Sequence, residues 1–460
     1  MDFLSLRFVG LSLGALVLFH AARGLRWRQA VVGLASAAYL TSFAGSPEQL
    51  SALGVFLALG FGLVQLARRK PRTIVFGAGV VLLLACFAWM KRYSALEALP
   101  HPPSAWVTVG LSYILFRVLQ LAVDELQNEG RAPVAPLGYL LFTCSFLSLV
   151  SGPIQRYDDH RAQLQKLGEF SLDASGAYAG FSRMANGYLK VALVSTVLLK
   201  LHGWVLAQAV PAWASFAAAS LIYLFFLYAN FSGSIDIVLG LGSLLGFTLP
   251  ENFLQPFRAG NLLEFWNHWH ITLSQWFKFY VFNPLLKLLG GWFKTPASMV
   301  WAGVLGYFVT FFLMGLWHGT TAAFVLFGGL LGIGAGATKL YESVMIKRLG
   351  KKALAALRAR SLYAAAANGF TLAYIAVALS LWWKVDWAGA ARYVPQGFLL
   401  VAVTLTLVRL IPLTLSERSE SKGQPITLKH HLWLGARAWL IAAIAFDSSF
   451  HVPELLYRGF

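Results

Sequence analysis

The chain has 460 residues, of which 58% are hydrophobic and only 12% charged, and its formal net charge at pH 7 is +18. So much apolar surface exceeds what one water-soluble core can bury, and the composition therefore predicts an integral membrane protein. The basic residues lie in clusters between apolar runs and form no continuous basic face. They indicate membrane topology and argue against nucleic acid as a partner.

The apolar runs have helical periodicity and lack the alternation of lipid-facing barrel strands, so we expect an all-α polytopic protein. Its two cysteines, Cys86 and Cys144, both lie within apolar runs, where a thiol usually behaves as a small hydrophobe. They indicate neither a disulfide framework nor a metal site. We expect one integral membrane domain over residues 1–460, with N-terminal helices (1–135), a motif-bearing core (136–340) and C-terminal helices (341–460).

The first five apolar runs alternate regularly across the membrane. The first, residues 8–22, is typical of a transmembrane helix rather than a cleavable signal peptide, and the arginines that follow it place the N-terminus outside. The later runs are residues 30–44, 50–67, 74–90 and 106–123.

The run at residues 137–150 interrupts this alternation, because it leads into the basic residues Arg156 and Arg161. If basic loops are cytoplasmic, this run turns back before it crosses. Gly152 and Pro153 are expected to break such a re-entrant segment. Irregular backbone at membrane depth is tolerated only against protein or a water-filled cavity, so a cavity is expected nearby.

Three further runs, residues 187–201, 214–228 and 235–247, follow. Asp236 would open the last of them, and it has two interpretations. It lines a polar passage or orients a histidine, or it is simply an acid that favours a helix N-terminus.

His270 lies in the next segment, residues 262–289, which we expect to be an amphipathic or partly inserted helix. On such a helix His270 shares a face with Trp266, Asn267 and Ser274. Aromatic walls with a few polar groups are typical of a ligand site. The alternative is an interfacial aromatic belt in which His270 is hydrogen-bonded near the headgroups.

His318 lies between two apolar runs, residues 300–316 and 322–337, which are expected to form a hairpin. An ionisable residue within the membrane is a functional candidate, and a neutral imidazole can accept and donate a proton near neutral pH. Gly319 beside it allows close approach of backbone or substrate. We predict that His318 is a general base with His270 as its partner; the alternative is a histidine that caps a helix end.

The remaining runs are residues 370–383, 398–411 and 432–446, with a polar loop around 417–429. Phosphate-binding loops, dinucleotide fingerprints, zinc-protease motifs and nucleophile elbows are missing from any context in which they would work. We therefore expect no metal ion and no tightly bound cofactor. The chemistry that the sequence still allows is histidine-based acid and base catalysis in a membrane cavity.

Several ordered motifs in this chain are similar to those of the membrane-bound O-acyltransferase family, in its bacterial branch that acylates cell-envelope polymers. They are Phe265-Trp266-Asn267-His268-Trp269-His270-Ile271-Thr272-Leu273-Ser274, Gly315-Leu316-Trp317-His318-Gly319, Ser151-Gly152-Pro153-Ile154-Gln155-Arg156-Tyr157, Asn230-Phe231-Ser232-Gly233-Ser234-Ile235-Asp236 and Pro250-Glu251-Asn252-Phe253. The resemblance covers residues 137–330 well, and the first 130 residues only in hydropathy.

The resemblance implies a ring of about eleven transmembrane helices around a central funnel in the bacterial cytoplasmic (inner) membrane, with membrane lipid around it. A thioester donor, acetyl-CoA or an acyl carrier protein, would enter from the cytoplasm, and an acceptor hydroxyl from the other side. By resemblance, His318 takes the position of the essential histidine and His270 that of the second signature residue. The expected substrate-binding residues are Trp266, Asn267, Ser274, Trp317 and Asp236.

Several functions remain open from the sequence. One is O-acetylation of an exported polysaccharide, directly or through an extracytoplasmic partner enzyme, and another is passage of D-alanine from a carrier protein towards teichoic acid. From other classes, a transporter or flippase of a lipid-linked polymer would use the histidines to relay protons. A scaffold for an envelope synthase would need neither histidine.

Overall fold

The computed structural model describes residues 5–43, 47–93, 110–127, 132–383 and 387–410. Within these ranges the chain is helical and contains no strand, only an isolated bridge between Phe253 and Trp269. The predicted all-α class is confirmed. The helices are α1 (Leu6–Ala21), α2 (Leu25–Thr41), α3 (Pro47–Arg68), α4 (Thr73–Lys91), α5 (Leu111–Gln127), α6 (Pro136–Thr143), α7 (Tyr157–Lys166), α8 (Ala174–Leu189), α9 (Thr196–Leu206), α10 (Ala212–Leu244), α11 (Leu262–His268), α12 (Ile271–Phe277), α13 (Asn283–Gly290), α14 (Pro296–His318), α15 (Ala322–Leu349), α16 (Lys351–Arg358), α17 (Ser361–Leu379), α18 (Trp387–Ala390) and α19 (Val394–Leu410).

Seven helical segments in the described ranges are long and apolar enough to cross a membrane. The helices α1 and α19 are apolar but shorter. The chain is thus a multi-pass membrane protein, while the expected count of about eleven spans stays a prediction. The predicted run at residues 432–446 and the loop at 417–429 lie outside the described residues. The seven segments are Leu50–Arg68, Thr73–Lys91, Ala174–Leu206, Ala212–Leu244, Pro296–His318, Ala322–Leu349 and Ser361–Trp382.

The helix α10 corrects one prediction, because it is a single helix of 33 residues where the sequence indicated two runs. The small residues near the middle of α10 do not interrupt the helix; they allow it to contact α8. A Cβ on Gly187 of α8 would lie 2.5 Å from the Gly233 carbonyl oxygen, so the two backbones touch. Asp236 consequently lies inside a helix, and its interpretation as a helix N-terminal acid is wrong.

A second correction concerns residues 262–289, which form no continuous helix. The helix α11 ends at His268 and α12 begins at Ile271, and His270 between them has a left-handed backbone with φ of 45°. The single helical face that was to join His270 to Trp266 and Asn267 is therefore wrong. At the break, the backbone amides of Ile271 and Thr272 donate to Asn252, which lies outside the segment.

The hairpin around His318 is confirmed. Its helices α14 and α15 pack along each other, and α14 ends at His318 itself. A Cβ on Gly315 would lie 2.1 Å from the Gly328 Cα, so both positions need glycine for the backbones to approach. The second helix is longer than predicted and continues to Leu349.

The segment after α5 is too short to cross, as the sequence indicated, but it turns earlier. The helix α6 has 8 residues, and irregular backbone follows from Cys144 up to α7. Arg117 of α5 is 1% exposed and donates to the last two carbonyl oxygens of α6, those of Phe142 and Thr143, at 3.1 and 2.8 Å. It also donates to Ser148 in the irregular stretch, at 2.5 Å to the carbonyl oxygen and 2.7 Å to the hydroxyl. A buried arginine thus supplies hydrogen bonds that the helix end and the irregular backbone after it need.

Candidate functional site

The two predicted histidines come from different elements and meet around one tryptophan. His318 at the end of α14 is 3% exposed, and His270 between α11 and α12 is 1% exposed. The Trp317 ring centroid lies 4.7 Å from that of His318 and 6.4 Å from that of His270. The end of the hairpin and the break between the short helices thus form one buried site.

Aromatic side chains enclose the His318 imidazole. Its ring centroid lies 5.2 Å from Trp382 and 5.8 Å from Phe327. At Gly319 a Cβ would lie 2.1 Å from the Phe324 ring, so glycine is required for that ring to pack here, with its centroid 5.7 Å from that of Trp382. The enclosure removes bulk water from around a group that can transfer protons.

A small cavity of about 20 Å³ adjoins His318. This volume is enough for about one water-sized group, such as a hydroxyl or a carbonyl oxygen. The cavity is lined by Leu227, Phe265, Trp266, Trp269, His318, Phe327, Ile375, Leu379 and Trp382.

Hydrogen bonds to a neighbouring loop stabilise the left-handed backbone of His270, a conformation that costs a non-glycine residue ~1–2 kcal/mol. The Ile271 amide donates to the Asn252 carbonyl oxygen at 3.0 Å. The Asn252 side-chain oxygen also accepts from the Thr272 amide and hydroxyl, at 3.0 and 2.7 Å. Strain that neighbours enforce in this way is concentrated at functional sites.

The His270 side chain lies between two aromatic residues. Its Nε2 is 3.5 Å from the Tyr113 hydroxyl, at the long limit of a hydrogen bond. The Phe231 ring packs edge-on against the imidazole, with 4.7 Å between the two ring centroids. Gly152 packs against Tyr113, since a Cβ there would lie 3.1 Å from the ring. The irregular stretch after α6 therefore stabilises the His270 side of the site.

A larger cavity of about 140 Å³ brings together three predicted substrate-binding residues, Trp266, Asn267 and Ser274. They meet although the helix is broken, because residues of α11, α12 and α14 line this cavity together. Trp266 also lines the small cavity, so its indole stands between the larger cavity and His318. The rest of the larger cavity is lined by Leu263, Phe277, Lys278, Phe282, Tyr307, Thr310, Phe311 and Met314.

Asp236 lines neither cavity and is engaged in ion pairs. Its carboxylate lies 2.6 Å from Lys190 Nζ and 3.2 Å from Arg183 Nε. Arg183 also pairs with Glu251 at 2.6 Å, and Glu251 precedes Asn252. The structure therefore connects Asp236 to the loop that positions His270 and does not bring it to the substrate-binding residues.

The sequence predictions assigned no role to Tyr113, Asn252 or Arg117. Arg117 had a usable signal, because it is a charge within the apolar run at 106–123. Asn252 lay in a quoted motif, but only its hydrogen bonds show what it does. Tyr113 carried no signal, since a tyrosine in an apolar helix is unremarkable in sequence.

No group of three or more histidine, cysteine, aspartate or glutamate side chains within the described ranges could hold a metal ion. The expectation of no metal and no bound cofactor stays a prediction. Around the two histidines, the groups that can donate or accept hydrogen bonds include both imidazoles, the Tyr113 hydroxyl and indole N–H groups.

Comparisons with known proteins identify the family to which this chain is similar. A family model described as MBOAT, the membrane-bound O-acyltransferase family, matches residues 79–377. A probable alginate O-acetylase of Pseudomonas putida is 28% identical over 229 residues, 49% of this chain and 44% of that protein. The teichoic acid D-alanyltransferase of Bacillus subtilis is 27% identical over 235 residues, 50% and 58% of the two chains.

A peptidoglycan O-acetyltransferase of Helicobacter pylori is 30% identical over 211 residues, which are 45% of this chain and 38% of that protein. The chain thus spans about half the length of the curated relatives it matches. The family model, in contrast, covers well over half of this chain and includes both histidines. The chain therefore belongs to the membrane-bound O-acyltransferase family.

Proposed function

We propose that this protein transfers an acyl group, most simply acetyl, from a cytoplasmic thioester to hydroxyls of an extracytoplasmic cell-envelope polysaccharide. Transfer is direct or passes through a partner enzyme, and the protein resides in the bacterial cytoplasmic membrane. One observation carries the proposal: the His318 imidazole is buried beside a cavity that fits a single hydroxyl or carbonyl oxygen, with His270 around the same tryptophan.

His318 acts as the general base. It removes the proton from the acceptor hydroxyl while that oxygen attacks the thioester carbonyl carbon, and it returns the proton to the departing thiolate. A base in this position typically contributes ~10²–10⁴-fold to the rate. The rings of Trp317, Phe327 and Trp382 exclude the water that would otherwise hydrolyse the donor.

His270 and Trp317 position the substrates. The Trp317 indole N–H is buried and has no acceptor among the described residues, so it is available to a substrate oxygen. His270 polarises the donor carbonyl or orients the acceptor. Trp266, Asn267 and Ser274 bind the substrate portion that occupies the larger cavity.

D-alanyl transfer from a carrier protein is the second candidate function. It is favoured by the relative from Bacillus subtilis, of whose length the match covers 58%. Both candidates need a thioester donor and a hydroxyl acceptor, so the same site serves either. They differ in the group that the cavities must accept.

The test uses purified protein in lipid nanodiscs with acetyl-CoA, or with D-alanyl carrier protein, and a polysaccharide or teichoic acid acceptor. We expect acceptor-dependent release of free thiol, which His318→Ala abolishes while the protein stays folded. A matched control is His202→Ala, because His202 of α9 is also a buried histidine, with its ring 4.8 Å from Trp383. Polymer translocation without thiol release would instead establish the transporter, and full activity of His318→Ala would remove the catalytic role.

A further inference from the structure

A buried lysine is connected through neighbouring residues to both histidines. Lys91 is the last residue of α4 and is only 2% exposed. Its ammonium donates to the Ser112 hydroxyl at 3.3 Å. Among the described residues, no carboxylate lies within 4 Å of it. A cation buried in a membrane protein without an anionic partner is costly, and such residues mark functional sites.

Two hydrogen bonds connect the Lys91 region to the two histidines. Ser112, which accepts its hydrogen bond, precedes Tyr113, whose hydroxyl lies 3.5 Å from His270 Nε2. Tyr93, two residues after Lys91, donates to the Leu316 carbonyl oxygen at 3.3 Å, two residues before His318.

A purely structural role, an interaction with the helix dipole, explains only part of the placement of Lys91. A lysine in the last turn of a helix interacts favourably with the helix dipole. That interaction needs no burial, and lysines near helix ends usually extend their ammonium to the membrane surface. Lys91 instead points into protein, towards Ser112 of α5. The dipole explains why a lysine is tolerated here but not why it is enclosed.

We propose that Lys91 is a further catalytic residue, whose ammonium binds the thioester carbonyl oxygen and stabilises the negative charge formed there. The inference rests on the proposed acyl transfer. When the acceptor oxygen bonds to the carbonyl carbon, the electron pair of the C=O bond moves to the oxygen and the hydroxyl proton goes to His318. When the C=O bond forms again, the C–S bond breaks and the thiolate takes the proton back. Lys91 stays protonated throughout.

Lys91 would add a charged hydrogen-bond donor for the oxyanion to the groups already assigned to the site. His318 supplies the base, and Trp317 offers one neutral N–H donor. A charged donor is about twice as strong as a neutral one, and its strength increases where water is excluded. The acyl carbonyl, rather than a charged group of the acceptor, is the ligand we assign to Lys91.

The experiment compares Lys91→Met, Lys91→Arg and the control Lys287→Met, which removes an exposed lysine of α13. Two rates are measured with acetyl-CoA: transfer to the acceptor and slow hydrolysis by water. Removal of one oxyanion donor typically costs ~10²–10³-fold in kcat. We expect that loss in both reactions for Lys91→Met, with the donor KM unchanged, while Lys91→Arg recovers most activity and Lys287→Met is normal.

Hydrolysis distinguishes the outcomes, because water is an uncharged acceptor. Loss of transfer with intact hydrolysis would show that Lys91 binds an anionic acceptor, and full activity in both reactions would show that it is structural; either overturns the inference. If Lys91→Met does not fold, Ser112→Ala tests the same point, with a ~3–10-fold lower kcat expected from a misplaced ammonium and an unchanged kcat contradicting it. His318→Ala is run in parallel: if thiol release does not depend on His318, the proposed function itself fails.

Discussion

The two histidine regions of this molecule are built in opposite ways. His318 ends a regular hairpin, in which Gly315 and Gly328 let two apolar helices touch. His270 lies in a helix break with a left-handed backbone, and the residues after it donate hydrogen bonds to Asn252 of an adjacent loop. Regular packing therefore positions the proposed base, whereas local strain and polar contacts position its partner.

This difference predicts where substitutions act. Around His318 the backbone is set by apolar packing, so polar substitutions far from the hairpin contact leave its position unchanged. Around His270 the same polar contacts that fix the backbone also fix the side chain. Stability and catalysis are therefore coupled on the His270 side more than on the His318 side.

The largest effect is expected from overfilling the hairpin. In Gly315→Leu the new side chain meets the Gly328 backbone, because even a Cβ would lie at 2.1 Å. The helices must separate, and we expect little folded protein. Yield and thermal unfolding in detergent measure this. Gly329→Leu is the matched control, since a Cβ there meets nothing within 4 Å; normal folding of both variants would contradict the close contact.

A smaller loss is expected from Asn252→Ala, which removes the acceptor for the Thr272 amide and hydroxyl. Leaving buried polar groups unsatisfied costs ~1–3 kcal/mol each. Thermal stability should fall, and turnover per folded molecule should fall with it as His270 loses its position. A stability loss with unchanged turnover would show that the two are not coupled.

The backbone strain at His270 predicts a smaller difference, between the stabilities of two variants at this position. Glycine adopts a φ of 45° without cost, so His270→Gly should be more stable than His270→Ala by ~1 kcal/mol. Both variants lack the imidazole and should lose acyl transfer equally. Equal stability of the two would mean that the left-handed backbone is not strained.

The smallest effect concerns pH. His160 of α7 is 3% exposed and stacks on Phe247, and burial lowers its pKa to about 4. Below pH ~6.5 the His160 imidazole is protonated in the unfolded chain but still neutral in the folded protein. The free energy of unfolding therefore decreases as the pH is lowered towards 4. His160→Phe should show a shallower loss of thermal stability between pH 7 and 5. An identical slope would remove His160 from the pH dependence.

Composition and apolar periodicity were sufficient to predict the helical membrane class and the His318 hairpin. Both follow from the hydrophobic effect along a regular helix, which a linear pattern records directly. The family resemblance, carried by ordered motifs such as that around His318, is confirmed by the match over residues 79–377.

The His270 region could not be predicted in the same way. Its helix break is accompanied by hydrogen bonds that Ile271 and Thr272 donate to Asn252, 18 residues before His270, and local periodicity does not record such contacts. For Asp236 the sequence suggested a helix start, yet the close contact between Gly187 and Gly233 places it in mid-helix. Arg117 is a charge within an apolar run, but Lys91 directly follows one, and only its burial distinguishes it from an ordinary lysine at a membrane surface.

The central claim is that the two histidine regions form one catalytic unit. It is tested most directly by a double-mutant cycle of His318→Gln and His270→Gln, measured as acyl transfer per folded molecule. Residues that act as a unit are strongly non-additive, so the double variant should be within ~3-fold of His318→Gln alone. Two losses that simply multiply, or full turnover in His318→Gln, would contradict the account.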